Sequence, residues 1–256
     1  MKWFFIIVTF ALIACSSFAD KKKSYTEKNA ISKKMNGSYT SVAVLELFTS
    51  EGCSSCPPAD NLLPQLAKLD SNIIPLSFHV DYWNRLGWTD PFSSSEFSER
   101  QRKYGEQFHL EGVYTPQLVV NGEYELVGSN RNGATTAIKN ALKEKIAVLI
   151  NINEVKKEGG KLFVTCGTDG NLKNSDLLAA LVQKQAVINV KAGENNGHKL
   201  SHTNIVRSFV KQPAEQKTSF TLEVPSDITD DNWQLIIYAQ QKNDLKITGA
   251  AVYSWQ

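Results

Sequence analysis

From residue 42 onward the hydrophobic pattern has two regimes, separated near residue 147. Val42-Ala43-Val44-Leu45-Glu46-Leu47-Phe48 is an almost unbroken apolar run closed by Thr49-Ser50-Glu51-Gly52, which predicts a strand over about residues 42–48. Leu62, Leu63, Leu66 and Leu69 then recur at spacings of three and four, predicting a helix over about residues 59–69. Pro57 and Pro58 suit its start, where backbone N–H groups have few intrahelical partners to lose. Residues 72–80 read as a short strand despite Pro75. Ser93, Ser94 and Ser95 are candidate caps for a helix over about residues 95–108, Ser93 and Glu96 having the capping-box spacing. Asn121-Gly122 between apolar runs predicts a hairpin over residues 117–127, opened by Thr115-Pro116, and residues 134–146 read as a closing helix.

Beyond residue 147 the period is that of strands. Candidates are residues 147–152, 161–167, 176–182, 186–191, 205–212, 218–224, 233–241 and 247–254, separated by turn-forming residues. Seven or eight short strands predict an all-β sandwich. The domain reading is therefore a signal segment at 1–19, a flexible tether at 20–41, an α/β domain at 42–146 and a β-sandwich at 147–256.

The α/β order, with Cys53-Ser54-Ser55-Cys56 at the first strand-to-helix turn and Thr115-Pro116 opening the hairpin, resembles the thioredoxin superfamily in its glutaredoxin-like βαβαββα arrangement. The resemblance implies that Pro116 is cis and faces the cysteine pair, with the backbone beside Thr115 pairing with a bound substrate chain. Residues 45–60, His79-Val80-Asp81-Tyr82-Trp83, Gly87-Trp88-Thr89-Asp90-Pro91-Phe92 and Tyr114-Thr115-Pro116-Gln117 are similar to an uncharacterised family of secreted bacterial thioredoxin-like proteins, domain of unknown function 1223. That family implies the fold and no substrate. Ser54-Ser55 stands where thioredoxins have Gly-Pro, and two prolines follow Cys56.

Composition narrows the function. A net charge of +2 and no tract of basic residues interleaved with aromatics in the folded part give no reason to expect nucleic acid as a partner. Residues 3–14 are a nearly unbroken apolar run after Lys2, too short to span a bilayer comfortably and of the length of an export signal. Leu12-Ile13-Ala14-Cys15 resembles a lipobox, which makes Cys15 the lipidation candidate; Ser17-Phe18-Ala19 equally suits ordinary cleavage before Asp20. Either route places the protein in the cell envelope or outside the cell, where disulfides persist. The oligomeric state is not legible.

Only Cys53 and Cys56 of the four cysteines are closely spaced. A thiolate beside a helix N-terminus is stabilised by unpaired N–H groups and the macrodipole, and a second sulfur two residues away resolves a mixed disulfide. Cys53 is assigned attack and Cys56 resolution, on exported protein or small-molecule thiols and without a dissociable cofactor. A disulfide that only staples the turn is the alternative, as is a non-catalytic binding or assembly protein, or a metal carrier adding His79 or Asp81 to the two thiolates. The pair lacks a matching second C-x-x-C, so no metal site is assigned.

His79 and Asp81 would share a strand face, making either a candidate proton relay or, equally, an ordinary buried histidine and a loop-bracing carboxylate. Glu51 would raise a nearby thiol pKa or be solvated. Tyr82, Trp83, Trp88 and Phe92 form an apolar lip or pack beneath their loop. Cys166 reads as a small buried hydrophobe. His202, Asn204 and Arg207, after a long connection, either brace it or contact the first domain or a ligand.

Overall fold

The computed structural model describes Met1 and residues 41–254, so the expected signal segment, the lipidation candidate Cys15 and all but the last residue of the tether lie outside the described residues. Strand β1 (Ala43–Thr49), helix α1 (Pro57–Ala67), β2 (Ile73–His79), α2 (Ser95–Gln107), β3 (Gln117–Val120), β4 (Tyr124–Val127) and α3 (Arg131–Ala141) come first. They are followed by β5 (Val148–Glu158), β6 (Lys161–Gly170), β7 (Ser175–Asn189), β8 (Lys199–Pro213), β9 (Lys217–Glu223), β10 (Trp233–Gln241) and β11 (Ile247–Ser254).

The expected fold class, a glutaredoxin-like βαβαββα domain followed by an all-β sandwich, is overturned by the sheet topology. Eight strands from both halves of the chain form one mixed sheet, in the order β11-β10-β7-β8-β2-β1-β3-β4, and three form a small sheet, β5-β6-β9. The join is β8 beside β2, parallel, at Ser77 and Ile205. Alternation along a strand says which face is apolar but not which strand lies next to it, so the sequence pattern could not exclude this neighbour. The candidates at 176–182 and 186–191 are one long strand, β7, paired along its length with an equally long β8.

Period-2 burial explains the layers. Val44 and Phe48 of β1, Ile74, Leu76 and Phe78 of β2, and Leu178, Ala180, Val182, Ile236 and Tyr238 of β7 and β10 share one core with Phe97 and Tyr104 of α2. Leu45 and Leu47 face the opposite side, onto Leu62, Leu63 and Leu66 of α1 and Ala134, Ala137 and Ile138 of α3. On that same strand-alternation logic, Leu177, Ala179, Leu181, Leu235 and Ile237 pack on the small sheet through Val164, Cys166, Phe220 and Leu222. Leu69 lies beyond the end of α1 and is exposed, so the helical face stops at Leu66. Ser94, not Ser93, caps α2, accepting from the Glu96 N–H at 3.2 Å.

The Asn-Gly hairpin forms as its sequence predicts, with Asn121 and Gly122 both at positive φ. Its glycine also admits the far half of the chain: a Cβ on Gly122 would lie 1.9 Å from the Leu245 carbonyl oxygen. Asn121 accepts from the Val44 N–H at 2.7 Å and donates to the Val42 carbonyl at 2.8 Å.

A buried ion pair crosses the same boundary. Arg100 of α2 donates from Nε and Nη2 to the Glu46 carboxylate of β1 at 2.8 and 2.9 Å. Tyr238 of β10 donates to Glu46 at 2.9 Å, Tyr104 donates to it as well, and Gln240 of β10 accepts from Arg100. The guanidinium lies over the rings of Phe78, Tyr104, Phe209 and Tyr238. Removing one member leaves the other charge buried and unpaired. Arg100→Met should therefore cost about 3–5 kcal/mol in urea denaturation, while adding Glu46→Leu should recover much of that loss.

Candidate functional site

β1 ends in a tight turn, with the Cys53 N–H donating to the Ser50 carbonyl at 3.2 Å, and Cys56 is the N-cap residue of α1. The Cys56 carbonyl accepts from the Ala59 and Asp60 N–H groups, and Pro57 and Pro58 occupy positions where no intrahelical donor is needed. Cys53 and Cys56 are joined in a disulfide. Both are 0% exposed, although Ser54 and Ser55 between them are exposed.

Three segments enclose the pair. The Thr115–Pro116 peptide is cis. The Thr115 carbonyl accepts from Ser55 Oγ at 3.3 Å, that hydroxyl lies 3.4 Å from Cys53 Sγ, and Thr115 Oγ1 accepts from Trp83 Nε1 at 2.8 Å. The connection between β7 and β8 forms the third wall. Asn195 Nδ2 donates to the carbonyls of Glu51 and Cys53, both at 2.9 Å, and Glu194 Oε2 accepts from the Ser54 N–H at 3.0 Å and from Ser54 Oγ at 2.7 Å. Those bonds hold the Glu194 carboxyl below its usual range. Two left-handed glycines, Gly193 and Gly197, flank the strap.

The relay candidates separate. β2 ends at His79, so strand alternation does not carry through to Asp81, which accepts from Ser98 Oγ and braces the start of α2. His79 instead pairs with Asp90, Nδ1 to Oδ2 at 2.7 Å. Burial alone would depress the His79 pKa, but the Asp90 carboxylate and its hydrogen bond outweigh it and raise it. Burial likewise pushes Asp90 up, and the His79 charge together with bonds from His79 and the Glu51 and Phe92 N–H groups brings it below its usual value.

Beside this pair is a cluster the sequence pattern did not reveal as a unit. Glu51 is fully buried, neither solvated nor exposed, and its Oε2 accepts from Trp88 Nε1 at 2.7 Å. His202 of β8 places Nε2 3.4 Å from Glu51 Oε1 and Nδ1 3.7 Å from Asp60 Oδ2, and its ring lies 4.8 Å from that of His79, edge to face. None of these His202 contacts is aligned as a hydrogen bond, and Glu51 Oε1, Asp60 Oδ1, His79 Nε2 and both His202 nitrogens are buried without a hydrogen-bond partner. Asp60 was legible only as the last residue of the family-like run 45–60, and Asp90 as part of the family-like Trp-Thr-Asp-Pro run. Among the described residues, no group of three or more His, Cys, Asp and Glu side chains is arranged to hold a metal ion.

The remaining candidates are mostly bracing. Tyr82 and Trp83 hydrogen-bond inward, to Gln101 and Thr115, and Phe92 is buried against His79 and His202, so the aromatic loop packs beneath itself. Arg207 pairs with Asp227 and lies over Phe92, and Asn204 accepts from Gln234. Cys166 is buried and free, its thiol pushed up to about 11 by burial.

With this geometry in place, the comparisons are informative. The family model described as "Protein of unknown function (DUF1223)" matches residues 44–240. The chain belongs to that family. A crystal structure of protein AGR_C_4864 from Agrobacterium tumefaciens is 29% identical, with a TM-score of 0.66 over 84% of this chain and 96% of that one. HBP35 of Porphyromonas gingivalis, 15% identical, shares the fold at a TM-score of 0.59 over 84% of this chain and 75% of that one. A comparison with curated proteins finds no match. The family match spans β1 through most of β10, so the β7–β8 strap and β8 belong to it as much as the disulfide does.

The His79–Asp90 pair predicts a pH window. The raised His79 pKa contributes stability that is fully present below about pH 6.5 and lost as pH rises through the folded value. The lowered Asp90 pKa contributes stability present above about pH 3.9 and lost as pH falls through the folded value. The cost of Asp90→Asn, measured by urea denaturation, should be largest between about pH 4 and 6.5 and shrink at alkaline pH.

Proposed function

We propose that this protein is an exported thiol–disulfide oxidoreductase of the cell envelope, exchanging the Cys53–Cys56 disulfide with protein or small-molecule thiols. The observation that carries the reading is a disulfide at the N-terminal cap of a helix, with a hydroxyl beside Cys53 Sγ and the Thr115 carbonyl alongside. Unpaired N–H groups and the helix dipole favour a thiolate there. An incoming thiolate attacks Cys53 Sγ and the electron pair of the broken S–S bond passes to Cys56. A second thiol then releases the donor as its own disulfide, and no dissociable cofactor takes part. Export, with or without a lipid on Cys15, supplies a compartment in which the oxidised pair persists.

Because both sulfurs are covered, attack follows opening of the 193–197 strap. The strap is held by four hydrogen bonds from or to Glu194 and Asn195. These bonds favour the covered state.

The complete burial also favours a second reading, in which the disulfide is a permanent staple on a binding scaffold. Alkylation of native protein after dithiothreitol treatment separates the two. Exchange requires that the disulfide be reduced in the folded state and that Cys53→Ser abolish transfer to a thiol substrate. The staple reading requires reduction only on unfolding. If the strap controls access, Glu194→Ala with Asn195→Ala should speed native-state reduction severalfold, because the bonds that hold the strap closed are lost.

A further inference from the structure

Resting on the exchange reading above, we infer that Asp60 holds the proton taken up by Cys56 when the Cys53–Cys56 bond opens, with His202, packed against its carboxyl, as a positioning residue.

Cys56 caps α1 in a helical backbone conformation and Asp60 follows four residues later, its N–H donating to the Cys56 carbonyl at 3.1 Å. Side chains at that spacing lie on one helix face, with Cβ atoms about 5–6 Å apart. Both residues are buried. The helix therefore presents the Asp60 carboxyl on the face that carries the Cys56 side chain.

Its surroundings are those of a group that changes charge. Asp60 Oδ1 is buried without a hydrogen-bond partner, while Oδ2 lies 3.7 Å from His202 Nδ1. The groups facing it come from several packed elements: His202 from β8, His79 from β2, Asp90 from the loop before α2 and the Thr49 hydroxyl of β1, while Glu51 lies against the other nitrogen of His202, 3.4 Å from Nε2. Burial raises the Asp60 pKa, His202 and His79 and the Thr49 hydroxyl pull it back, and Asp90 adds to the rise. A structural bracing cluster would be expected to pair its buried polar atoms, as Glu46 and Arg100 do. Here several are left unpaired on both the acid and the two imidazoles.

The step balances as follows. A donor thiolate attacks Cys53 Sγ, the S–S bond breaks, and its electron pair remains on Cys56 Sγ, which takes the proton from Asp60. The second donor thiolate attacks the first donor's sulfur, the mixed-disulfide bond breaks, and its electron pair leaves on Cys53 Sγ. The two donor thiols are oxidised to one disulfide, Cys53 and Cys56 are reduced by two electrons, and the two protons released by the donors are returned, one to Cys53 and one to Asp60.

The test uses the full chain. In a background carrying Cys53→Ser together with Cys15→Ser and Cys166→Ala, ultraviolet thiolate absorbance reads the titration of Cys56 alone. Replacing Asp60 by Asn should lower the Cys56 pKa by about one unit, because a carboxylate beside a thiol opposes its ionisation. Asp60→Glu should retain the higher value, which loss of packing would not achieve. Identical Cys56 titrations with Asp60 and Asn overturn the inference. A measurement needing no variant guards against misfolding: the Asp60 carboxyl carbon, followed by NMR in the unmutated chain, should titrate at different pH in the oxidised and reduced protein, and the same titration in both also overturns it. Coupling without any exchange by the unmutated chain would sink the exchange reading alone; exchange without coupling would sink only the role of Asp60.

Discussion

The position of β8 beside β2 is the constraint on which the candidate site depends. The two strands meet at Ser77 and Ile205, and β8 also packs against α1. Without that neighbour β2 would be an unpaired edge, a liability in any sheet. With it, His202 enters the buried cluster beneath the cysteine turn, and the connection leading into β8 places Glu194 and Asn195 over the disulfide. The strands after residue 147 therefore belong to the same sheet as the cysteine turn and complete its surroundings.

Two buried polar clusters show what such an arrangement can and cannot be for. Around Glu46 and Arg100, two carboxylate oxygens, a guanidinium, two phenols and an amide satisfy one another across β1, α2 and β10. A network of that kind is sensitive to losing a member but has little reason to change state. Around Glu51, Asp60 and His202 the same kinds of groups approach within 3.4 and 3.7 Å without forming aligned hydrogen bonds. Incomplete pairing is costly in a buried site, and burial there raises the pKa of the Asp60 carboxyl. The first cluster holds the halves together, while the second lies where chemistry at Cys56 would be felt.

Much of the local structure was legible. The apolar run before Cys53 is a strand, the leucine spacing after Cys56 is a helix, and Asn121-Gly122 is the hairpin turn its backbone preferences demand. Cys53 and Cys56 were singled out by spacing alone, and they are bonded. Other assignments failed for reasons of range. His79 and Asp81 were expected on one face, but the strand ends at His79, and its partner is Asp90, eleven residues along and brought back by the aromatic loop. Asp60 closes the family-like run 45–60 and Asn195 lies in the long connection before His202, yet neither position announces its contacts: the first is one polar residue on an otherwise apolar helix face, and the second lies in a loop some 140 residues from the carbonyls it bridges.

Alternation and turn chemistry act within a few residues, and for that reason the sequence by itself determined the strands, the helices, the hairpin and the dithiol. The order of strands in a sheet depends on which apolar faces bury each other, and this is decided by packing over the whole chain. Only the tertiary structure could place β8 at β2, replace the two expected folds by an eight-stranded mixed sheet with a three-stranded sheet packed on it, and gather Glu51, Asp60, His79, Asp90 and His202 into a buried cluster. The covering of Cys53 and Cys56 is of the same kind, since burial belongs to the assembled fold and not to the residues that are covered.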